Sequence, residues 1–471
     1  MTSGRPGDPP AARLGDPPAT QPGAPLSLAA NWTRDLAARL AAADLALARS
    51  YPGDSGRRQP VHTVYGGAHL FRADSAARLG AQALEVLAEH APRPTDLAAV
   101  LGLPPDLAAD VYARLAEKLR REPVEDFRID FEDGYGSRPD AEEDADARAA
   151  AEQVAAGIAA ASLPPFLGIR IKPLSAELAP RSIRTLDLFV TTLAAASGGR
   201  LPANFVVTLP KVTLAAQVEA LAELLERLEA ALGLAPGILR LEIMVETTQS
   251  LLDEDGRVHL RRLVEAGRGR TAGAHFGVYD YTAACGITAA HQTIDHPACD
   301  FARQLLQGAL AGTGVWISDG ATNVLPVAPH RAGPDGPPLS PAQQAANQAA
   351  VHAAWRLHHG HVRRSLAAGF YQGWDLHAAQ LPSRYAAVYC FFREGLEAAA
   401  TRLRNFVEHA ARATLAGSVF DDAATGQGLL SYFLRALHCG AIGEDEAVAK
   451  TGFGLAELRG RSFAEILRRR Q

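Results

Sequence analysis

Short apolar, β-branched runs alternate along most of the chain with longer stretches of helical period. Eight such runs stand out, at residues 60–67, 126–134, 167–173, 204–212, 239–248, 272–282, 314–320 and 369–377. Between most of them apolar positions recur at helical spacing, as in residues 75–90 and 215–232. Strand, helix, strand is the connection a parallel sheet requires. Eight repeats predict an α/β fold, a (β/α)8 TIM barrel. The alternative, an open doubly wound sheet, lacks its Gly-x-Gly-x-x-Gly turn after any strand.

The ends of the chain read differently. Residues 1–25 are rich in Pro, Gly and Ala, with too little apolar surface to offset ordering, and are expected to form a disordered leader. An amphipathic helix is expected at 31–49, with Trp32, Leu36, Leu40 and Leu45 as its stripe. It begins a barrel domain expected over 26–381. From 382 onward the pattern is helical, at 385–413, 426–436 and 444–467, which predicts a C-terminal helical appendage.

Composition narrows the class. The chain has 471 residues, a formal net charge of −5 and 48% hydrophobic residues, ordinary for a soluble globular enzyme. Mild acidity gives no reason to expect nucleic acid or an anionic membrane as partner. Cys285, Cys299, Cys390 and Cys439 show no zinc-type spacing, so reduced thiols in a cytoplasmic protein are expected. No apolar run reaches the roughly 18 residues of a membrane span, and no signal-peptide pattern opens the chain.

The chemistry is expected at the strand ends. In a parallel barrel the C-terminal ends share one rim, which here offers Glu132, Asp133, Arg170, Lys211, Glu246, Asp280, Asp319 and His377. Glu246 closes the fifth run and Asp280 lies near the end of the sixth, 280 − 246 = 34 positions later. Two hard carboxylates on one rim suit Mg²⁺, with Mn²⁺ as a substitute. Arginine holds a carboxylate by its rigid fork, so Arg170 suits a 2-oxo acid or an acyl carboxylate. A structural ion-pair layer capping the barrel would leave the same residues there. Gly66-Gly67 reads as a turn needing positive φ, or as a close approach to phosphate. Glu142, Glu143, Asp144 and Asp146 fit a solvated helix start. His352, His358, His359 and His361 are expected on a solvated helix face, Cys285 is expected to be packed, and His291 is a candidate base.

The order of these segments resembles the HpcH/HpaI aldolase and citrate lyase β-subunit superfamily, which includes malyl-CoA lyases and is related to malate synthases. The resemblance rests on His62-Thr63-Val64-Tyr65, IDFEDG at 129–134, IRIKP at 169–173, LPKV at 209–212, VETTQSL at 245–251 and FGVYDYTAACG at 276–286. FAR at 301–303 and GFYQGWDLHAAQ at 369–380 complete it. It implies a Mg²⁺-dependent barrel lyase or aldolase that makes or breaks a carbon–carbon bond beside a carbonyl through an enolate. It also implies a small oxo acid or acyl-CoA as substrate, and a homo-oligomer. By resemblance Glu246 and Asp280 are metal ligands, Arg170 holds the substrate, and Glu132 and Asp133 bind metal-bound water. Tyr65, Lys211 and His377 are expected to contact substrate beside Arg170. Two departures stand out: His62 replaces an arginine, and Gly66-Gly67-Ala68-His69 replaces a Pro-Gly phosphate loop. Asp421 or Asp422 lies where acyl-CoA relatives carry a catalytic aspartate. Phosphoryl transfer on phosphoenolpyruvate and a non-catalytic binding protein are the alternative functions.

Overall fold

Each of the eight apolar runs overlaps one strand that is shorter than the run, and the third and sixth strands begin one residue before theirs. The strands are β1 (His62–Gly67), β2 (Asp126–Asp130), β3 (Phe166–Arg170), β4 (Phe205–Leu209), β5 (Arg240–Val245), β6 (Thr271–Phe276), β7 (Trp316–Ser318) and β8 (Gly373–Asp375). The structure is a computed structural model that describes residues 27–333, 337–408, 414–416, 419–421 and 423–459. All neighbouring strands run parallel, in the order β7-β6-β5-β4-β3-β2-β1-β8. Between β7 and β8 the Asp319 amide donates to the Gln372 carbonyl at 2.9 Å, and Ala321 bridges to Trp374. The sheet thus curls into a (β/α)8 barrel.

Contacts divide the chain into two units, Met1–Tyr51 and Pro52–Gln471. The first contains the expected helix, Ala30–Ser50. The leader at 1–25 lies outside the described residues. The barrel occupies the second unit, as do helices Leu381–Glu394, Leu396–Glu408, Ala423–Cys439, Glu444–Thr451 and Leu455–Leu458. The expected helix at 385–413 is interrupted at Gly395, and the one at 444–467 at Gly452, whose φ of 70° ends the helix in a left-handed cap. Asp421 ends the short strand Val419–Asp421, whereas Asp422 lies outside the described residues. No described helix is long and apolar enough to cross a membrane.

The hydrophobic core lies outside the sheet. Phe127, Ile129, Leu167, Ile169, Val207, Leu241 and Ile243 are buried in one cluster with residues of the surrounding helices, such as Leu186, Leu221 and Leu263. That leaves the opposite face of β2, with Asp126, Arg128 and Asp130, to the barrel interior. Arg128 donates to Glu242 at 2.6 and 2.8 Å and also binds Asp126. The His275 Nε2 lies 3.2 Å from the same glutamate. Burial would raise the Glu242 pKa, but Arg128 and His275 hold it well below the usual carboxylate range. Each charge here has a partner, the condition under which ionised groups persist in a barrel core.

A second buried network joins β1 to β8. His62 Nδ1 lies 2.6 Å from Asp375, its Nε2 accepts the Glu125 amide at 3.1 Å, and Asp375 also holds His358 at 3.0 Å and Arg384. The expected solvated histidine face is therefore not observed. His358 is buried in this network, and His352, His359 and His361 are half-buried on helix Pro341–Ala367, which packs against helix Leu381–Glu394.

Two further differences bear on the site. The connection after β5 is a pair of short helices, Thr248–Leu251 and Leu260–Ala266, around a Leu252–Val258 bridge, and not the single helix that the strand–helix–strand alternation implies. β6 stops at Phe276, so Asp280 stands in the first turn of helix Val278–Ala284 and not on a strand.

Candidate active site at the barrel mouth

β2 ends at Asp130, where the chain turns tightly. The Asp130 carboxylate accepts the amides of Glu132 at 3.0 Å and Gly134 at 2.7 Å. That turn projects Glu132 and Asp133 over the mouth. Asp130 pairs in register with Arg170, the last residue of β3. The buried Arg170 guanidinium forks onto Asp130 at 2.7 and 2.5 Å. It also lies 3.1 Å from Glu132 and 3.8 Å from Asp133, with its carbon 4.8 Å from the centre of the Tyr65 ring. Arginine pairs planar carboxylates in this way and stacks on an aromatic face.

Lys211 follows β4 with φ of 50°, an uncommon backbone state for a non-glycine residue. In that conformation its amide donates to Glu246 at 2.7 Å. Its ammonium stands 2.7 Å from Glu132, 3.1 Å from Asp280 and 3.5 Å from Asp133. Glu246, just beyond β5, is 2% exposed. A side chain at Gly277 would place its Cβ 2.5 Å from Glu246 Cβ and Oε2, so the chain leaving β6 crosses this carboxylate only as glycine.

Burial raises the Glu246 pKa to about 8; the neighbouring Asp280 adds to the rise and Lys211 opposes it. Burial, with Asp133, also raises Glu132 against the pull of Arg170. Burial works against the Lys211 charge, yet Glu246, Glu132 and Asp133 push its pKa up. Five carboxylates (Asp130, Glu132, Asp133, Glu246, Asp280) thus meet two cations, an excess of 5 − 2 = 3 negative charges when all are ionised.

Among the described residues no group of three or more His, Cys, Asp or Glu side chains is already disposed to hold a metal. The Lys211 ammonium stands among the acids. The donor set still fits a hard divalent cation: it is all carboxylate, carries surplus negative charge when ionised, and Glu132 Oε2, which makes no hydrogen bond, has only the Arg170 guanidinium against it, at 3.1 Å, among the described residues.

Two residues of the predicted rim, His377 and Asp319, lie apart from this cluster, and Tyr65, an expected substrate contact, lies under Arg170. His377 is exposed and accepts the Ala379 amide at 3.1 Å, capping a short turn in a groove with Tyr65, Gly66 and Gly67. None of the carboxylates at the mouth touches it. Asp319 is buried behind β7, with Arg303 at 3.2 Å, Ser365 and the Gly320 amide as partners. Tyr65 underlies Arg170, and its hydroxyl faces the Met244 sulfur at 3.8 Å. Among residues outside the rim, His291 is exposed and bonded to Thr288, and Cys285 is exposed instead of packed. Gly67 has an ordinary φ of −54°; a Cβ there would sit 2.4 Å from the Gly134 carbonyl, so close packing and not a positive-φ turn requires glycine.

Sequence reasoning missed Asp130, the bidentate partner of Arg170. The Asp126-x-Arg128-x-Asp130 alternation carried the signal, since a charged strand face opposite an apolar one points into a barrel.

Solved structures of low sequence identity are similar to this chain. A citrate lyase from Burkholderia xenovorans LB400 matches with a TM-score of 0.52 and 18% identity, over 84% of this chain and 97% of that one. A malate synthase from Haloferax volcanii, solved as a pyruvate/acetyl-CoA ternary complex, matches at a TM-score of 0.43 and 16% identity, over 86% and 98%. No curated protein matches by sequence. The likeness to the citrate lyase shows a shared fold. A family model described as a domain of unknown function, DUF6986, matches residues 40–466, and the chain belongs to that family.

Proposed function

We propose that this chain is a Mg²⁺-dependent carbon–carbon lyase or aldolase of the HpcH/HpaI and citrate lyase β type, acting on a small 2-oxo acid or acyl thioester. The observation that carries this reading is the convergence of Glu132, Asp133 and Asp280 on the Lys211 ammonium, with Glu246 on the amide of the same residue, beside a buried arginine. Glu246 and Asp280 would hold the ion, with Glu132 and Asp133 facing its water. Bound there, Mg²⁺ would polarise a substrate carbonyl and stabilise the charge of an enolate.

The chain's own groups supply orientation and exclude other chemistry. Arg170 is fixed by Asp130 and Tyr65, and the outer part of its guanidinium is directed to Glu132, where a substrate carboxylate would compete. Lys211 is kept protonated by its acids, so it serves as a cation and not as the neutral amine a Schiff-base aldolase requires. The mouth stands at the C-terminal strand ends, where barrel active sites are built.

The test is a panel of oxo acids and acyl-CoA esters with Mg²⁺ or Mn²⁺, scored for release of pyruvate, acetyl-CoA or glyoxylate. Calorimetric Mg²⁺ binding by the wild type, weakened in Glu246→Gln, is expected alongside turnover. Metal-independent turnover, or equal binding by both proteins, would overturn the reading.

A further inference from the structure

At the opposite, N-terminal mouth of the barrel a cavity lies beneath the buried charge network. It encloses about 60 Å³, against roughly 10–15 Å³ for one water, which is space for an ion the size of phosphate or oxalate. Its walls include Arg57, Arg240, Asn204 and Trp316, and its inner end reaches Arg128 and Glu242.

The charges on these walls do not match. Arg128 is already committed to Asp126 and Glu242. Arg240, half-buried at the start of β5, forms no ion pair among the described residues, and the charge that acts on it is another arginine, Arg57. Arg57 lies with its guanidinium carbon 5.2 Å from the centre of the Trp316 ring, and among the described residues its guanidinium bonds only to the Ser55 hydroxyl, at 3.4 Å. Three guanidiniums (Arg57, Arg128, Arg240) therefore face two carboxylates (Asp126, Glu242) around one cavity. His275, also on its wall, has a buried Nδ1 without a hydrogen-bond partner. A partly desolvated arginine with a second guanidinium nearby and no carboxylate of its own is costly unless an anion joins the two, and the guanidinium fork suits a carboxylate or phosphate.

We propose that this cavity is a binding site for a small oxyanion, a phosphate or short dicarboxylate, held between Arg240 and Arg57 and separate from the site at the C-terminal mouth. Neither the family match nor the structural likenesses assign anything to this end of the barrel.

The test is titration of the full-length protein with inorganic phosphate and, separately, with oxalate, read by calorimetry and tryptophan emission. Saturable binding of at least one is expected, with an emission change that Trp316→Phe abolishes. The dissociation constant should rise about ten-fold or more in Arg240→Gln and in Arg57→Gln. Glu246→Gln should bind as the wild type does, which separates this site from the proposed catalytic one. Arg57 is exposed, so its variant tests the site even if Arg240→Gln fails to fold. The tighter of the two anions names the ligand class. No saturable binding of either anion by the wild type up to about 10 mM, or binding unchanged by Arg57→Gln, would overturn the proposal.

Discussion

The Lys211 amide donates to Glu246 at 2.7 Å while its ammonium reaches Asp280 at 3.1 Å, so one residue touches both acids that the sequence holds 34 positions apart. The ammonium stands where the acids converge, and it competes with any cation they would bind. Lys211→Met should lower the stability of the metal-free protein by about 1–2 kcal/mol, a value reduced because the side chain is a third exposed. It should also tighten Mg²⁺ binding. Denaturant unfolding with and without Mg²⁺ checks both, and weaker Mg²⁺ binding would contradict the competition.

Arg170 is held by a two-point ion pair with Asp130 inside a buried corner. Lysine keeps the charge but has no fork, so Arg170→Lys should leave Asp130 or Glu132 without its partner and cost about 3 kcal/mol. Urea unfolding measures the stability loss. Turnover on whichever oxo acid is active should fall at least a hundred-fold, mostly through kcat/KM.

Gly277 admits no side chain without moving Glu246. Gly277→Ala should therefore weaken Mg²⁺ binding at least ten-fold, while secondary structure by circular dichroism stays as in the wild type. A Gly277→Ala protein with unchanged metal affinity would show that Glu246 is not a ligand.

His359 is held neutral by burial and by Arg363, which depress its pKa to about 4. Unfolded histidine titrates near 6.5. A depressed pKa stabilises the fold above the unfolded value, and that contribution fades as pH falls from about 6.5 toward 4. Burial depresses His358 and His361 in the same direction. Stability should thus drop across this window by up to about 1.4 kcal/mol per pH unit through His359, with His358 and His361 acting in the same direction. Urea midpoints at three pH values check it, and His359→Gln should flatten the slope.

The strand count was legible because parallel barrel strands, covered outside by helices, carry short apolar runs that differ plainly from helical spacing. Strand ends were read long, and this mattered at 272–282: Gly277 breaks the extended run, and Val278-Tyr279-Asp280 begins a helix. The histidines of helix Pro341–Ala367 were misread because a polar residue buried by a partner is indistinguishable, in one dimension, from one that faces water.

Local pattern by itself determined the eight strands, their parallel connections, and which acids and cations stand near strand ends. Only the tertiary structure decided which of these meet. Closure of the sheet brought Glu132, Lys211, Glu246 and Asp280 together and sent Asp319 behind β7 to Arg303. It also paired Arg170 with Asp130. The physical reason is that strand periodicity assigns a side chain to a face, whereas ion pairing depends on register and curvature between segments tens of residues apart.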